Sequence, residues 1–304
     1  MSNTQILTLD LGFKNLPKTI ASYLITGSDG LLLVETGPAS TLPNLRAQLA
    51  VYGYRSSDIK HVLVTHIHLD HAGAAGWLAQ EGAQIYVHHV GAPHLVDPSR
   101  LLHSAGRIYG DQMKALWGET VAAPADRVTA VYDGEIIDVT GLQITAIDTP
   151  GHAWHHLTYR LDDIAFTGDA AGIHIPDTQL VDLPAPPPEF KLEVWDKTID
   201  RLLVENLTAI YPTHFGRVED PNKQLELLRT IMHEATEFVR RCMEAQQDRD
   251  SIVAAYVTWM QDRARATGLS EYAIQQFDAA NPLYMSVDGI MRYWQRRQAK
   301  EKST

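Results

Sequence analysis

Over its first two thirds the chain repeats one pattern: a short apolar run, a polar turn, then apolar positions three or four apart. "IASYLIT" and "GLLLVETG" are apolar runs on either side of a Ser-Asp-Gly turn, which predicts a hairpin. In "TLPNLRAQLAVYG", Leu42, Leu45, Leu49 and Tyr52 recur at helical spacing, and Gly53 can end the helix. "KHVLVTH" reads as a buried strand that delivers His66 at its C-terminal end. "AGAAGWLAQEG" then reads as a small-residue helix and "QIYVHH" as another strand. The pattern predicts helix over 98–117, strands over 128–149 and strands in "HLTYRL" and "IAFTGD". An amphipathic helix in "EVWDKTIDRLLVENL" and a strand in "LTAIYPTH", ending at His214, complete it. Two strand-rich halves with helices between them imply a layered α/β sandwich.

The pattern changes after Gly216. Asp220-Pro221 is a helix start, a capping residue followed by proline in the first turn. Leu225, Leu228, Ile231, Ala235, Phe238 and Cys242 then recur every three or four residues. Further helical patterns cover 252–265, 270–277 and 281–297, with no strand-like alternation. The chain therefore divides into a domain over 1–219 and an all-helical C-terminal domain over 220–304. The apolar stripe of the tail must be buried against something. The tail is expected to shape a pocket, to form a homodimer interface, or both.

Composition narrows the partners. The chain has 304 residues and a formal net charge of −11, which repels nucleic acid and anionic membrane surfaces. The basic cluster "RYWQRRQAK" is more simply the last turns of a helix. No apolar run approaches the ~20 residues of a membrane span. The start "MSNTQILTLD" lacks the basic and apolar regions of a secretory signal. One cysteine, Cys242, excludes an internal disulfide and fits a reducing compartment. A cytoplasmic protein with a small-molecule substrate is the expectation, with neither nucleic acid nor membrane as partner.

The candidate chemistry lies at strand ends. "THIHLDHAG" packs His66, His68, Asp70 and His71 into six positions. Imidazoles and a carboxylate crowded together must be hydrogen-bonded, charged or bound to something. Zinc and similar ions take these ligands readily. "DTPGHAWHH" adds His152, "FTGDAAG" adds Asp169 and "YPTHFG" adds His214, each just past a predicted strand. These seven candidate ligands are too many for one tetrahedral zinc and suit two metals sharing a carboxylate.

The ordered set "THIHLDHAG", "TPGH", "TGD" and "THFG" resembles the metallo-β-lactamase-fold hydrolase superfamily over about residues 6–216. The resemblance implies a four-layered αββα sandwich with metals at one edge of the sheets. It implies that His66, His68 and His152 hold one metal, that Asp70, His71 and His214 hold the second, and that Asp169 bridges. Two divalent ions are implied, zinc foremost, with iron or manganese as alternatives. A metal-bridging hydroxide would be the nucleophile, with Asp70 orienting its proton. Glu35 replaces the family's usual aspartate near the ligands, so its reach changes. His156 matches the family pattern. His155 stands where many members have glycine and is expected to be exposed.

Asp169 argues against β-lactam hydrolysis, because zinc β-lactamases generally lack an aspartate at that position. The resemblance thus points to the branch of glyoxalase II-like thioesterases, lactonases and phosphoesterases. The expected activity is promiscuous hydrolysis of small esters, thioesters, lactones or phosphoesters. A mononuclear iron enzyme resembling persulfide dioxygenases and a nuclease of the same fold are the alternatives. For the pocket, the stiff segment "VDLPAPPPEF" is expected to form a wall or lid. Phe190 and Trp195 are candidate walls. His103, Arg107 and Tyr109 could bind a substrate's polar end or form one polar helical face. Tyr159, in a strand, reads as core.

Overall fold

The computed structural model describes residues 4–176, 178 and 180–301. Six strands form the first sheet in sequence order: β1 (Gln5–Asp10), β2 (Ala21–Gly27), β3 (Gly30–Val34), β4 (Ile59–Leu63), β5 (Gln84–His88) and β6 (Val128–Val131). The hairpin read from the Ser-Asp-Gly turn is β2–β3, pairing Thr26 with Leu31. From β3 to β6 the pairing is parallel. Parallel neighbours need crossover connections, and helices supply them. These are α1 (Leu42–Val51), α2 (Leu69–Ala72), α3 (Ala75–Gln80), α4 (Ala92–Val96), α5 (Ser99–Tyr109) and α6 (Met113–Trp117).

The second sheet contains β7 (Ile136–Val139), β8 (Leu142–Asp148), β9 (Leu157–Leu161) and β10 (Ile164–Phe166), joined antiparallel in that order. A two-stranded ribbon, β11 (Ile173–His174) with β12 (Val181–Asp182), follows. Helix α7 (Leu192–Leu203) then returns the chain to β13 (Ala209–Tyr211), which pairs parallel with β10.

The layers follow from side-chain alternation. On β3, Leu31 and Leu33 pack with α1 and α3, while Leu32 and Val34 face the second sheet. Tyr23, Ile25 and Leu63 of the first sheet share one core with Ile144, Ala146, Tyr159, Phe166 and Tyr211 of the second. Tyr159 is core, and its hydroxyl donates to the Val64 and Tyr86 carbonyls. The other face of the second sheet is closed by helices, so the fold is an αββα sandwich.

Four helices follow: α8 (Pro221–Glu244), α9 (Arg249–Ala266), α10 (Glu271–Ala280) and α11 (Leu283–Glu301). Asp220 caps α8 by accepting from the Lys223 amide at 3.0 Å. Leu225, Leu228, Ile231 and Ala235 are buried in one cluster with Trp195 and Ile199 of α7 and Ile210 of β13. Phe238 is only partly covered. Burying four aliphatic side chains stabilises the tail on the sandwich by several kcal/mol, at about 1.5–3 kcal/mol for each large one. Among the described residues no helix is long and apolar enough to cross a membrane.

Candidate metal centre

Each candidate ligand sits where a strand ends and the chain turns along one edge of the sandwich. β4 runs into Thr65 and His66, and α2 begins directly after His68, so Asp70 and His71 project from a single tight turn. The end of β3 holds that turn: the Thr36 amide and hydroxyl both donate to the His71 carbonyl, at 2.9 and 2.8 Å. His152 follows Gly151, whose missing Cβ leaves room for Trp195 packed directly against it. Asp169 follows Gly168, which has φ +50° and fits against Thr65 and His156 where a Cβ would collide. His214 follows β13.

The first group is three ring nitrogens facing one point. His66 Nε2 and His68 Nδ1 are 2.9 Å apart, His152 Nε2 is 2.9 Å from His68 Nδ1, and His152 Nε2 is 3.2 Å from His66 Nε2. Nitrogens bound to one tetrahedral zinc at ~2.05 Å would be about 3.3 Å apart. His152 Nδ1 lies 2.7 Å from the Pro184 carbonyl. A carbonyl only accepts, so Nδ1 carries the proton and Nε2 presents a lone pair to its neighbours.

The second group is richer in carboxylate. His71 Nε2 lies 3.6 Å from Asp70 Oδ2 and 3.3 Å from Asp169 Oδ1. His214 Nε2 lies 3.5 and 3.7 Å from the same two oxygens. His214 Nδ1 donates to the Thr19 carbonyl at 2.6 Å, again directing Nε2 inward. Asp169 spans the groups, with Oδ1 toward His71 and His214 and Oδ2 3.3 Å from His152 Nε2.

Two further residues orient these ligands. Glu35 Oε1 accepts from the Thr65 amide at 3.0 Å, and Oε2 lies 3.2 Å from His71 Nδ1. The longer side chain thus reaches both the strand end and a ligand imidazole. Its backbone is left-handed, φ 65°, a conformation that costs an ordinary residue roughly 1–2 kcal/mol. His156 turns away from the ligand cluster. Its Nε2 accepts from the Asp169 amide at 3.2 Å, so its Nδ1 is the protonated nitrogen, 2.8 Å from Thr149 Oγ1.

The residues fit bound cations. His71 Nε2 and Asp169 Oδ1, on the inner side of the second group, are buried and face each other at 3.3 Å without a well-directed hydrogen bond among the described residues. Such atoms each cost about 1–3 kcal/mol unless something satisfies them. The ligand sets His66/His68/His152, His66/His71/Asp169 and Asp70/His71/His214 are each compact enough to hold an ion. Electrostatics separate the two groups. Burial and neighbouring imidazoles hold His66 well below its usual pKa, and burial with His152 brings His68 to about 3. In the second group burial opposes protonation, but Asp169, Asp70 and Glu35 outweigh it and hold His71 well above the usual value. Burial likewise opposes protonation of His214, but Asp70 and Asp169 raise it. Burial alone would raise Asp70, yet His71 and His214 bring it down to about 2.

A family profile for the metallo-beta-lactamase superfamily matches residues 17–214. The chain belongs to the metallo-β-lactamase superfamily. Superfamily members are mostly metal-dependent hydrolases. A metallo-beta-lactamase fold-containing protein of Sulfurisphaera tokodaii is 25% identical over 206 residues, 66% of this chain and 75% of that protein. An atrochrysone carboxyl ACP thioesterase of Aspergillus fumigatus is 30% identical over 161 residues, 52% of this chain and only 41% of that longer protein. The crystal structure of a metallo-beta-lactamase family protein from Thermus thermophilus superposes with a TM-score of 0.69 at 19% identity. That likeness covers 98% of this chain and 95% of that one, so the shared fold includes the C-terminal helices.

In this superfamily member the candidate ligands His68, Asp70, His152, Asp169 and His214 form the floor of a cavity of about 430 Å³, within the range of small-molecule sites. The proline segment is a wall, through Pro184, Pro186, Pro187, Pro188 and Glu189. Tyr109 lines the cavity, packed edge-on against Trp117. The other proposed walls lie elsewhere. Phe190 and Trp195 are buried in the core behind His152, and Trp195 Nε1 donates to the Ala170 carbonyl at 2.9 Å. His103 and Arg107 are exposed on α5 and do not border the cavity. They share the outer face of the helix, while Leu101, Ala105, Ile108 and Tyr109 share the inner one. His155, expected to be exposed, is buried and lines the cavity. The proline segment folds over it, bringing Glu189 Oε2 to 3.5 Å from His155 Nε2. Sequence reasoning missed Asn281, Pro282, Tyr284 and Met285, which the tail brings to the cavity at the α10–α11 junction. The only local signal was the Asn281-Pro282 helix break.

Proposed function

We propose that the chain is a dinuclear metal-dependent hydrolase of small esters, thioesters, lactones or phosphoesters. The observation that carries this reading is the convergence of seven candidate ligand side chains, five of which, His68, Asp70, His152, Asp169 and His214, border a largely apolar cavity. His66, His68 and His152 would hold one ion, Asp70, His71 and His214 the other, and Asp169 both. Bound there, two such ions would supply an acidified water and polarise the electrophilic oxygen.

The chain's own groups do the rest. Asp70, more exposed to the cavity than Asp169, is placed to orient the proton of the attacking water. Burial, with Asp70 nearby, raises the Tyr109 phenol, so it stays neutral and can donate a hydrogen bond to substrate. Phe13, Ile67, Leu101, Leu116 and Met285 provide apolar contact for the substrate body and exclude bulk water. The likeness to a protein named as a thioesterase supports giving acyl substrates priority.

The test is elemental analysis of protein prepared without chelator, coupled to a panel of activated ester, thioester, lactone and phosphoester substrates. Two zinc-like ions per chain and turnover of at least one of these are expected. One iron per chain with oxygen consumption, or RNA or penicillin cleavage without turnover of any small ester, would overturn the proposal.

A further inference from the structure

We propose that Ser286 and Asn281, in the helical tail, are positioning residues for His152, fixing the peptide unit whose carbonyl orients its imidazole. The proposal rests on the reading of His152 as a metal ligand. His152 Nδ1 donates to the Pro184 carbonyl. That oxygen belongs to the same peptide unit as the Ala185 N–H, which donates to Ser286 Oγ at 3.2 Å. The Ser286 hydroxyl in turn donates to the Leu183 carbonyl at 2.7 Å. One side chain thus holds two consecutive peptide groups, using its single donor and a lone pair.

Asn281 supplies the second hold. Its Nδ2 lies 3.0 Å from the Leu183 carbonyl and 2.9 Å from Asp182 Oδ2, while Asp182 Oδ1 accepts from the Leu183 amide at 2.7 Å. Ser286, Asn281 and Asp182 are all buried, so water does not replace these bonds if they break. Helix α11 lies directly on the segment: a Cβ at Gly289 would collide with the Ala185 carbonyl. Residues 183–190 carry no helix or strand that could set their orientation. The tail therefore helps to set their path past His152, together with the bonds of the Lys191 amide to the Gly151 carbonyl and of the Trp154 amide to Glu189 Oε2 at the far end of the segment. Groups that orient a ligand imidazole from behind are worth about ten- to hundredfold in metal affinity.

The test is zinc titration of the metal-free, full-length protein against a chromophoric chelator. Wild type, Ser286→Ala and Val239→Ala are compared at one pH. Val239 is buried on α8 in the same tail and, having no polar side-chain atom, makes no hydrogen bond to the proline segment, so it reports lost stability alone. Ser286→Ala should weaken one zinc-binding step by about ten- to hundredfold, with Val239→Ala at the wild-type value. Unchanged affinity in Ser286→Ala, or equal weakening in both variants, would overturn the positioning role. If Ser286→Ala does not fold, Asn281→Ala, which releases the Leu183 carbonyl on one side, carries the same comparison with the same two outcomes. Wild-type protein that takes up no zinc would instead overturn the proposed function.

Discussion

Asp169→Asn separates the shape of the proposed bridge from its charge. The wild-type carboxylate has one oxygen toward His71 and His214 and the other toward His152, so each oxygen belongs to a different ligand group. An amide keeps the volume and the backbone bond to His156, but one of its two terminal atoms becomes an NH2 that cannot bind a cation. The other becomes a neutral oxygen. A contact to a charged group contributes about 1.5–3 kcal/mol, so weakening two gives roughly 3–6 kcal/mol, on the order of 10²–10⁴ in metal affinity. Because the residue touches both groups, both binding steps should weaken, one of them beyond retention. The assay is zinc content after dialysis, chelator competition, and turnover of an activated ester on the same preparation. At most one zinc per chain and a turnover loss of at least about a hundredfold are expected. Retention of two zinc ions with near-wild-type turnover would refute the assignment of Asp169 as the shared ligand.

Two other predictions address the metal-free site and the cavity wall. Unfolded histidines take up protons below about pH 6.5, whereas buried His68 stays neutral until about pH 3, and His66, His155 and His156 are also held low by burial and neighbouring imidazoles. Below pH 6.5 these four histidines bind more protons in the unfolded chain, outnumbering the one proton that buried Asp182, raised to about 6, takes up in the folded chain. The raised His71 and His214 have already contributed fully there, so they do not reverse the trend. The thermal midpoint of chelator-treated protein, followed by circular dichroism, should fall from pH 6.5 to 5; a constant or rising midpoint would contradict this. Tyr109→Phe removes a cavity hydroxyl and should lower kcat/KM by about two- to tenfold, the worth of one hydrogen bond. His103→Ala and Arg107→Ala, on the outer face of α5, should leave it unchanged. Steady-state kinetics on one ester checks all three variants, and the reverse ranking would count against Tyr109 as a substrate contact.

The candidate metal cluster was legible because its chemistry is concentrated at strand ends. His66, His68, Asp70 and His71 lie within six positions, and that density has little use in a core. The layered sandwich was legible for a similar reason: alternation along β3 and helical spacing in α1 and α8 are local properties, set by neighbours in sequence. Sequence alone could not assign cavity walls. Phe190 and Trp195 have the composition of a pocket wall, but Gly151 leaves room for Trp195 beneath His152, which takes both into the core. On α5 the 3.6-residue period allows one face toward the cavity, and the choice of Tyr109 over His103 and Arg107 depends on which side borders the cavity that α2 and the proline segment also line. His155 is buried because Glu189, far along the chain, folds over it. The hold of Asn281 and Ser286 on the Pro184 carbonyl joins segments about 100 residues apart. Hydrogen bonds of that span leave no periodic trace in the chain, and only the packing of the tail on the sandwich creates them.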